Sequence, residues 1–79
     1  MVRKDGAEAR KERIEQIARK IMAKLNKEKE ISLSKEIAEI QYEFGLTKEK
    51  IMEYLEILEK LARFVLDKDN GKIRNITES

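Results

Sequence analysis

The chain has 79 residues, of which 43% are charged and 41% hydrophobic, and its formal net charge is +2. This balance is too apolar for a disordered tail and too charged for a membrane protein, and the length suits one small domain. Cysteine and histidine are both absent, which removes disulfides, thiolate metal sites, the commonest zinc ligand and the commonest general base. We therefore expect no catalytic residues, no cofactor and no metal site.

The sequence also carries signals of compartment and habitat. It contains no run of about 18 apolar residues and no signal-peptide pattern, which predicts a cytoplasmic protein without membrane insertion. Lysine, glutamate and isoleucine are abundant, whereas asparagine and glutamine are scarce. Such a composition is typical of the ion-pair-rich surfaces of thermophile proteins.

The first predicted element is a long helix that follows an arm. Residues 1–6 show no hydrophobic periodicity, so we expect a flexible basic arm there. From Ala7 onward apolar residues recur every three or four positions, which predicts a helix over about residues 7–26. Asn26 suits the end of this helix because asparagine tolerates the left-handed conformation. The apolar stripe of the helix consists of Ile14, Ile17, Ala18, Ile21 and Leu25.

A short strand and a second helix come next. Residues 31–33 alternate apolar and polar side chains, as a short strand does. Ser34 suits the N-cap of a helix over about residues 35–44, which places Ile37 on its apolar face. Gly45 is expected to end this helix because glycine adopts a positive φ without strain.

A third helix and a β-hairpin complete the chain. Thr47 is the expected N-cap of the helix. The apolar stripe of that helix consists of Ile51, Tyr54, Leu55, Leu58, Leu61 and Ala62. Residues 64–66 carry strand-forming side chains, and Asn70-Gly71 predicts a two-residue type I′ turn. Residues 72–76 then alternate as the returning strand, and residues 77–79 are expected to fray.

This order of elements, with Phe44-Gly45-Leu46-Thr47 joining the second and third helices, resembles the winged helix-turn-helix family and its small archaeal and archaeal-virus members. The resemblance covers residues 7–76. It implies a mainly α domain with a small β-hairpin (α+β), in the order helix, strand, helix, helix and hairpin, the hairpin being the wing. The family usually has a small residue four positions before the turn glycine, where this chain has Gln41. Ala38 takes that role if the second helix is longer than usual.

The resemblance implies duplex-DNA binding, sequence-specific or general, in a transcriptional regulator from a thermophilic archaeon, its virus or its plasmid. Winged helices that bind DNA usually place the third helix in the major groove, and the wing often contacts the minor groove or the backbone. The matching candidates for contact with nucleic acid are Thr47, Lys48 and Lys50 on the third helix and Lys68, Lys72 and Arg74 on the wing.

The charge pattern of the third helix favours a different function. Its outward side carries Glu49, Glu53 and Glu56 among its residues, and carboxylates that face phosphates weaken binding to nucleic acid. The alternative is a winged-helix protein-interaction module of a replication, transcription or membrane-remodelling assembly, with a protein partner bound through the third helix.

Arg13, Lys20 and Lys24 lie along one side of the first helix because they are spaced by seven and four residues. This side is either a solvated surface with ion pairs such as Glu15–Arg19, a phosphate-contacting stripe, or a contact for another protein. Since nucleic-acid affinity depends on cations of this kind, the three residues complete the set of candidates.

A homodimer is the expected oligomeric state. Small winged helices often pair to match two half-sites on DNA, and a long first helix suits a dimer contact. Met22, Tyr42, Met52 and Ile57 lie outside the apolar stripes. They are either the margin of the core or, where they join in one patch, a partner surface.

Overall fold

The computed structural model describes residues 6–76, which form a mainly helical α+β fold with one small antiparallel sheet. The elements in chain order are α1 (Gly6–Lys27), β1 (Glu30–Ser32), α2 (Leu33–Phe44), α3 (Lys48–Lys60), β2 (Val65–Asp67) and β3 (Lys72–Arg74). Residues 1–5 of the predicted arm and the predicted frayed end at 77–79 lie outside the described residues. Within residues 6–76, no helix has the length and apolar character required to cross a membrane.

The predicted first helix is confirmed as α1, which is one residue longer at each end than expected. Asn26 lies within the helix and has no positive φ, so the prediction that it ends the helix is wrong. Its apolar stripe, from Ile14 to Leu25, is buried in the core. Residues 8–13 are all exposed. The first turns of α1 therefore extend beyond the part of the helix that packs against the rest of the protein.

The start of α2 differs from the prediction, which had Ser34 as the N-cap. Ser32 is the N-cap, and its hydroxyl accepts a hydrogen bond from the backbone N–H of Lys35 at 3.3 Å. Leu33 begins the helix, and it packs in the core with 9% of its surface exposed. Because Leu33 is buried in the core, the helix starts earlier in the chain than predicted, and strand β1 ends at Ser32.

The predicted turn between α2 and α3 is confirmed. Gly45 has a φ of 68°, in the left-handed region, and its N–H donates to the carbonyl of Gln41 at 2.9 Å. Thr47 is the N-cap of α3, and its hydroxyl accepts a hydrogen bond from the N–H of Lys50 at 3.2 Å. Cap and turn residues thus set both ends of this connection, as expected from their types.

The end of α3 corrects the predicted apolar stripe. The helix ends at Lys60, and Leu61 is 57% exposed. Ala62 follows with a φ of 61°, and its N–H donates to the carbonyl of Glu59 at 2.9 Å. The N–H of Arg63 donates to the carbonyl of Leu58 at 3.0 Å. This pair of bonds is a Schellman motif, which turns the chain away before Leu61 and Ala62 reach the core.

The hairpin forms, but its predicted type I′ turn is wrong. Strand β2 pairs with β3 so that Asp67 lies opposite Lys72, which leaves a loop of residues 68–71. The carboxylate of Asp67 accepts hydrogen bonds from the Asn70 backbone at 3.3 Å and from its side chain at 2.8 Å. Gly71 has a φ of 64°, whereas Asn70 does not have a positive φ. A type I′ turn requires a positive φ at both of its central residues, and Asn70 does not meet this requirement. The hydrogen bonds that Asp67 accepts from Asn70 favour the longer loop instead.

The sheet has the strand order β1-β3-β2 and faces the core with one row of side chains. Ile73 lies between Ile31 and Leu66 in this row, and all three are buried. The outer edge of β2 is held by α3, because the carboxylate of Glu59 accepts a hydrogen bond from the N–H of Leu66 at 3.0 Å. The hairpin is therefore positioned by both the core and α3.

Replacing Ala62 with glycine should raise the free energy of unfolding by about 0.5–1 kcal/mol, because glycine adopts the left-handed conformation without the strain of a Cβ atom. Urea unfolding followed by circular dichroism measures the change. The matched control is Gly45→Ala, which introduces a Cβ at the other left-handed position, where it has open space around it. We expect this variant to be destabilised by about 1 kcal/mol. A destabilised Ala62→Gly variant, or a stabilised Gly45→Ala variant, would contradict the assigned helix ends.

Candidate nucleic-acid interface

Two lysines of the predicted basic stripe on α1 are engaged by carboxylates of α2. Lys24 contacts Glu36 at 2.9 Å and also contacts Glu39. Lys20 contacts Glu43 at 3.0 Å and Glu39 at 3.6 Å. We call these five residues the α1–α2 ion network. Because the contacts run in opposite directions along the two helices, the network aligns α1 antiparallel to α2.

The ion network keeps both lysines charged. The hydrogen bond to Glu43 raises the pKa of Lys20 above its usual value. Burial has the largest single effect on Lys24 and lowers its pKa, but the hydrogen bonds to Glu36 and Glu39 together outweigh it and leave the pKa raised. These two cations neutralise neighbouring carboxylates and are poorly placed to neutralise phosphates. Of the three residues in the predicted phosphate-contacting stripe on α1, only Arg13 therefore makes no ion pair with another described residue.

Glu36 is the buried member of the network, with only 2% of its surface exposed. Its Oε1 atom accepts the hydrogen bond from Lys24, whereas Oε2 has no partner among the described residues. Glu36 lines a cavity of about 340 Å³, and Lys35 and Lys72 are among the other residues that line it. A buried carboxylate requires a cation or hydrogen-bond donors close to it, and Lys24 supplies this partner.

The cationic residues of the hairpin differ in their availability. Arg74 contacts Glu30 at 3.3 Å and Asp67 at 2.9 Å, so its guanidinium bridges carboxylates from the strands on both sides of β3. Lys68 contacts Glu56 of α3 at 2.8 Å. Lys72 makes no ion pair with another described residue. Of the three predicted wing residues, Lys72 is therefore the one without an ion pair among the described residues, and it lines a cavity that four glutamates also line.

The hairpin ion pairs shift the pKa values of their members. The hydrogen bond between Lys68 and Glu56 raises the pKa of the lysine and lowers that of the carboxyl group. Hydrogen bonds from Asn70, chiefly from its side chain, lower the pKa of Asp67, and the nearby charge of Arg74 acts in the same direction. Both carboxyl groups are therefore ionised at neutral pH and remain partners of the hairpin cations.

Helix α3 presents two different surfaces near its start. Thr47 serves as the N-cap, and Lys50 contacts Glu53 at 3.1 Å. Lys48 makes no ion pair with another residue in the described part of the chain. Glu49 and Glu53 are exposed on the outward side. A cationic position at Lys48 thus adjoins an acidic surface on the same helix.

A groove lies between α2, α3 and the hairpin and has a volume of about 510 Å³. Its floor is apolar and consists of Leu33, Ile37 and Met52. Lys48 and Lys68 also line it. Its remaining lining residues are Ser34, Gln41 and Gly71, so no carboxylate lines the groove. We call this feature the α2–α3 groove.

Lys35 is a candidate that sequence reasoning missed. It lies in the first turn of α2 and lines the cavity of Glu36 together with Lys72. On the other side of that turn, Leu33 and Ser34 line the α2–α3 groove together with Lys48 and Lys68. The signal available in the sequence was the position of Lys35 directly after two serines that suit an N-cap, since a helix N-terminus attracts anions.

The apolar residues outside the predicted stripes have different environments. Met52 packs against the core. Met22 is 38% exposed, Ile57 is 36% exposed and Tyr42 is 94% exposed. Single exposed apolar side chains are ordinary in a monomer. The homodimer therefore stays a prediction.

Comparison of this chain with the models of known protein families, with curated proteins and with solved structures found no match. The resemblance to the winged helix-turn-helix family therefore stays a prediction.

Replacing Lys24 with alanine should lower the free energy of unfolding by about 2–3 kcal/mol, because the Glu36 carboxylate would stay buried without its cationic partner. Urea unfolding at neutral pH measures the loss. The matched control is Lys50→Ala, which breaks the exposed pair with Glu53 and should cost no more than about 0.5 kcal/mol. The double variant Lys24→Met/Glu36→Leu should recover most of the stability, because it removes both charges. Equal losses for Lys24→Ala and the control would contradict the role of the buried pair.

Stability should also fall in acid. Hydrogen bonds from Lys24 and Lys68 lower the pKa values of Glu39 and Glu56 below the usual 4.5. A carboxyl group with a lowered folded-state pKa stabilises the fold above its unfolded pKa and loses this contribution as the pH falls through the folded value. We expect the free energy of unfolding to decrease between about pH 5 and pH 2. Urea unfolding at each pH measures this decrease, which Glu39→Gln should reduce. A stability independent of pH over this range would contradict the prediction.

Proposed function

We propose that the protein is a winged-helix DNA-binding protein that acts as a transcriptional regulator. The order α1-β1-α2-α3-β2-β3, the turn at Gly45 and the antiparallel pairing of β1 with the β2–β3 hairpin support this proposal. In the proposal α3 is the third helix of the family and the hairpin is its wing.

The observation that carries the proposal is the placement of four lysines around the first turn of α2. Lys35 and Lys72 line the cavity on one side of this turn, where four glutamates, Glu36 among them, also line it. Lys48 and Lys68 line the α2–α3 groove on the other side, which no carboxylate among the described residues lines. The N-terminus of a helix attracts anions through its free N–H groups and its dipole. Lysines grouped around such a terminus favour contact with phosphates, which supply most of the affinity of general DNA binding.

The carboxylates of α3 limit the kind of contact proposed here. Glu49 and Glu53 are exposed on the outward side of the helix, and they repel a phosphate backbone on either side of a groove. Lys48 lines the α2–α3 groove and also lies beside Glu49 and Glu53 at the edge of this acidic side. We therefore propose that the lysines contact the DNA backbone and that affinity depends little on base sequence.

The ion pairs of Lys68 and Lys50 are compatible with this proposal. Both pairs join exposed side chains, with 56% of Lys68 and 45% of Lys50 accessible to solvent. Exposed ion pairs stabilise a fold very little, so their lysines exchange partners at small cost. In contrast, Lys20 and Lys24 belong to the network around buried Glu36, and the proposal assigns them no contact with DNA.

A protein-interaction module is the second candidate function. The observation that favours it is the acidic outward side of α3, where Glu49, Glu53 and Glu56 are exposed. A basic surface of a partner protein would complement this side of the helix. In this alternative, the lysines around α2 keep the module soluble or contact a second region of the partner.

The DNA-binding proposal predicts a steep salt dependence that relies on Lys48 and Lys72. Fluorescence anisotropy with a labelled random-sequence duplex, at about 20 to 200 mM salt, should give affinities in the micromolar range at low salt. The double variant Lys48→Ala/Lys72→Ala removes two phosphate contacts. It should reduce the slope of log K against log salt by about 1.8, at about 0.9 for each contact.

The matched control is Lys11→Ala/Lys60→Ala, which removes the same charge from exposed positions away from the first turn of α2. We expect the slope of the control to remain close to that of the unchanged protein. Equal effects of the two double variants would indicate a general charge effect and would remove the proposed contact surface. Absence of binding at the lowest salt would reject DNA binding and favour the protein-interaction module.

A further inference from the structure

The α2–α3 groove has two properties, and contact with DNA explains only one of them. Its floor of Leu33, Ile37 and Met52 is apolar, and its charged lining residues are the two lysines Lys48 and Lys68. Phosphates gain nothing from an apolar floor. A purely apolar ligand, conversely, gains nothing from the lysines beside it.

We propose that the α2–α3 groove binds an acidic amphipathic helix of a partner protein. Apolar side chains on one face of that helix would pack on the groove floor, as in other helix-in-groove complexes. Its carboxylates would meet Lys48 and Lys68, the two charged residues that line the groove. The proposal does not depend on DNA binding, although an acidic helix bound there would compete with DNA for the same two lysines.

The groove is suited in construction to such a partner. Leu33 and Ile37 are anchored in the core, at 9% and 6% exposure. Met52 packs against the core while remaining partly exposed, and methionine adapts its shape to different apolar partners. The floor is therefore largely preformed.

The neighbouring contacts favour a helix over an added β-strand. The edge of the sheet near α3 is already engaged, because the N–H of Leu66 in β2 donates to the Glu59 carboxylate at 3.0 Å. The ion pair of Lys68 with Glu56, by contrast, joins two exposed side chains. A carboxylate of the partner can replace Glu56 at small cost, since exposed pairs are weakly stabilising.

The test uses a designed probe and the 79-residue chain in the absence of DNA. The probe is a fluorescein-labelled helical peptide of 16 residues, with leucines at positions i, i+4 and i+7 and glutamates on the other faces. The control peptide has the same composition, but its leucines are distributed around the helix. We expect the amphipathic peptide to bind with an affinity in the micromolar range and the control peptide to bind at least about tenfold more weakly.

Four variants locate the binding surface. Met52→Gln alters the groove floor and Lys48→Gln removes one of its cations, and each should weaken binding of the amphipathic peptide by about five- to tenfold. Ile57→Gln and Lys60→Gln make the same chemical changes elsewhere on α3 and should leave binding unchanged. Far-UV circular dichroism checks that each variant keeps its helical content.

Three results would overturn the proposal. The first is equal binding of the two peptides, which would reveal attraction by charge alone. The second is absence of binding at about 1 mM peptide, well above the range of specific complexes. The third is failure of the peptide to bind, combined with binding of random duplex DNA that Met52→Gln weakens. This result would assign the groove to DNA. Loss of DNA binding alone, with peptide binding retained, would reject the proposed function and leave this proposal intact.

Discussion

A carboxylate buried in a small core has to keep a cation beside it, and the contact between Lys24 and Glu36 meets this requirement where α1 packs on α2. The contacts of Lys20 with Glu43 and of Lys24 with Glu39 repeat along the same interface. Together they favour the antiparallel alignment of the two helices, because each lysine of α1 lies beside carboxylates of α2. The position of α2, and of the groove and cavity beside its first turn, depends on this alignment.

Because of this requirement, some cations of the protein stabilise the fold, whereas others, at the surface, make no ion pair with another described residue. Lysines that a sequence pattern assigns to one basic stripe are divided by the fold. Those of α1 that face α2 neutralise carboxylates, whereas Lys48 and Lys72 make no ion pair with another residue among positions 6–76. Net charge is therefore a poor guide to what this protein binds. The local environment of each lysine, paired or unpaired, is the more informative quantity.

Local sequence signals predicted the elements well where one residue controls the backbone. Gly45 and Thr47 ended and started helices as expected, because a positive φ and a hydroxyl cap act within a few residues. Two predictions failed where a distant contact decided the outcome. Ser32 replaced Ser34 as a cap because Leu33 was drawn into the core, and Ala62 left the apolar stripe because the chain had to turn toward β2.

By itself the sequence determined the three amphipathic helices, the hairpin and most of the core, since hydrophobic periodicity and cap residues act at short range. Only the tertiary structure decided which charged residues meet. The spacing of Lys20 and Lys24 is compatible with a surface for phosphates, and their partners in α2 lie many residues away along the chain. The α2–α3 groove likewise requires α2, α3 and the hairpin to come together. Pairing of charges and closure of grooves depend on contacts between distant segments, which no local pattern in the chain encodes.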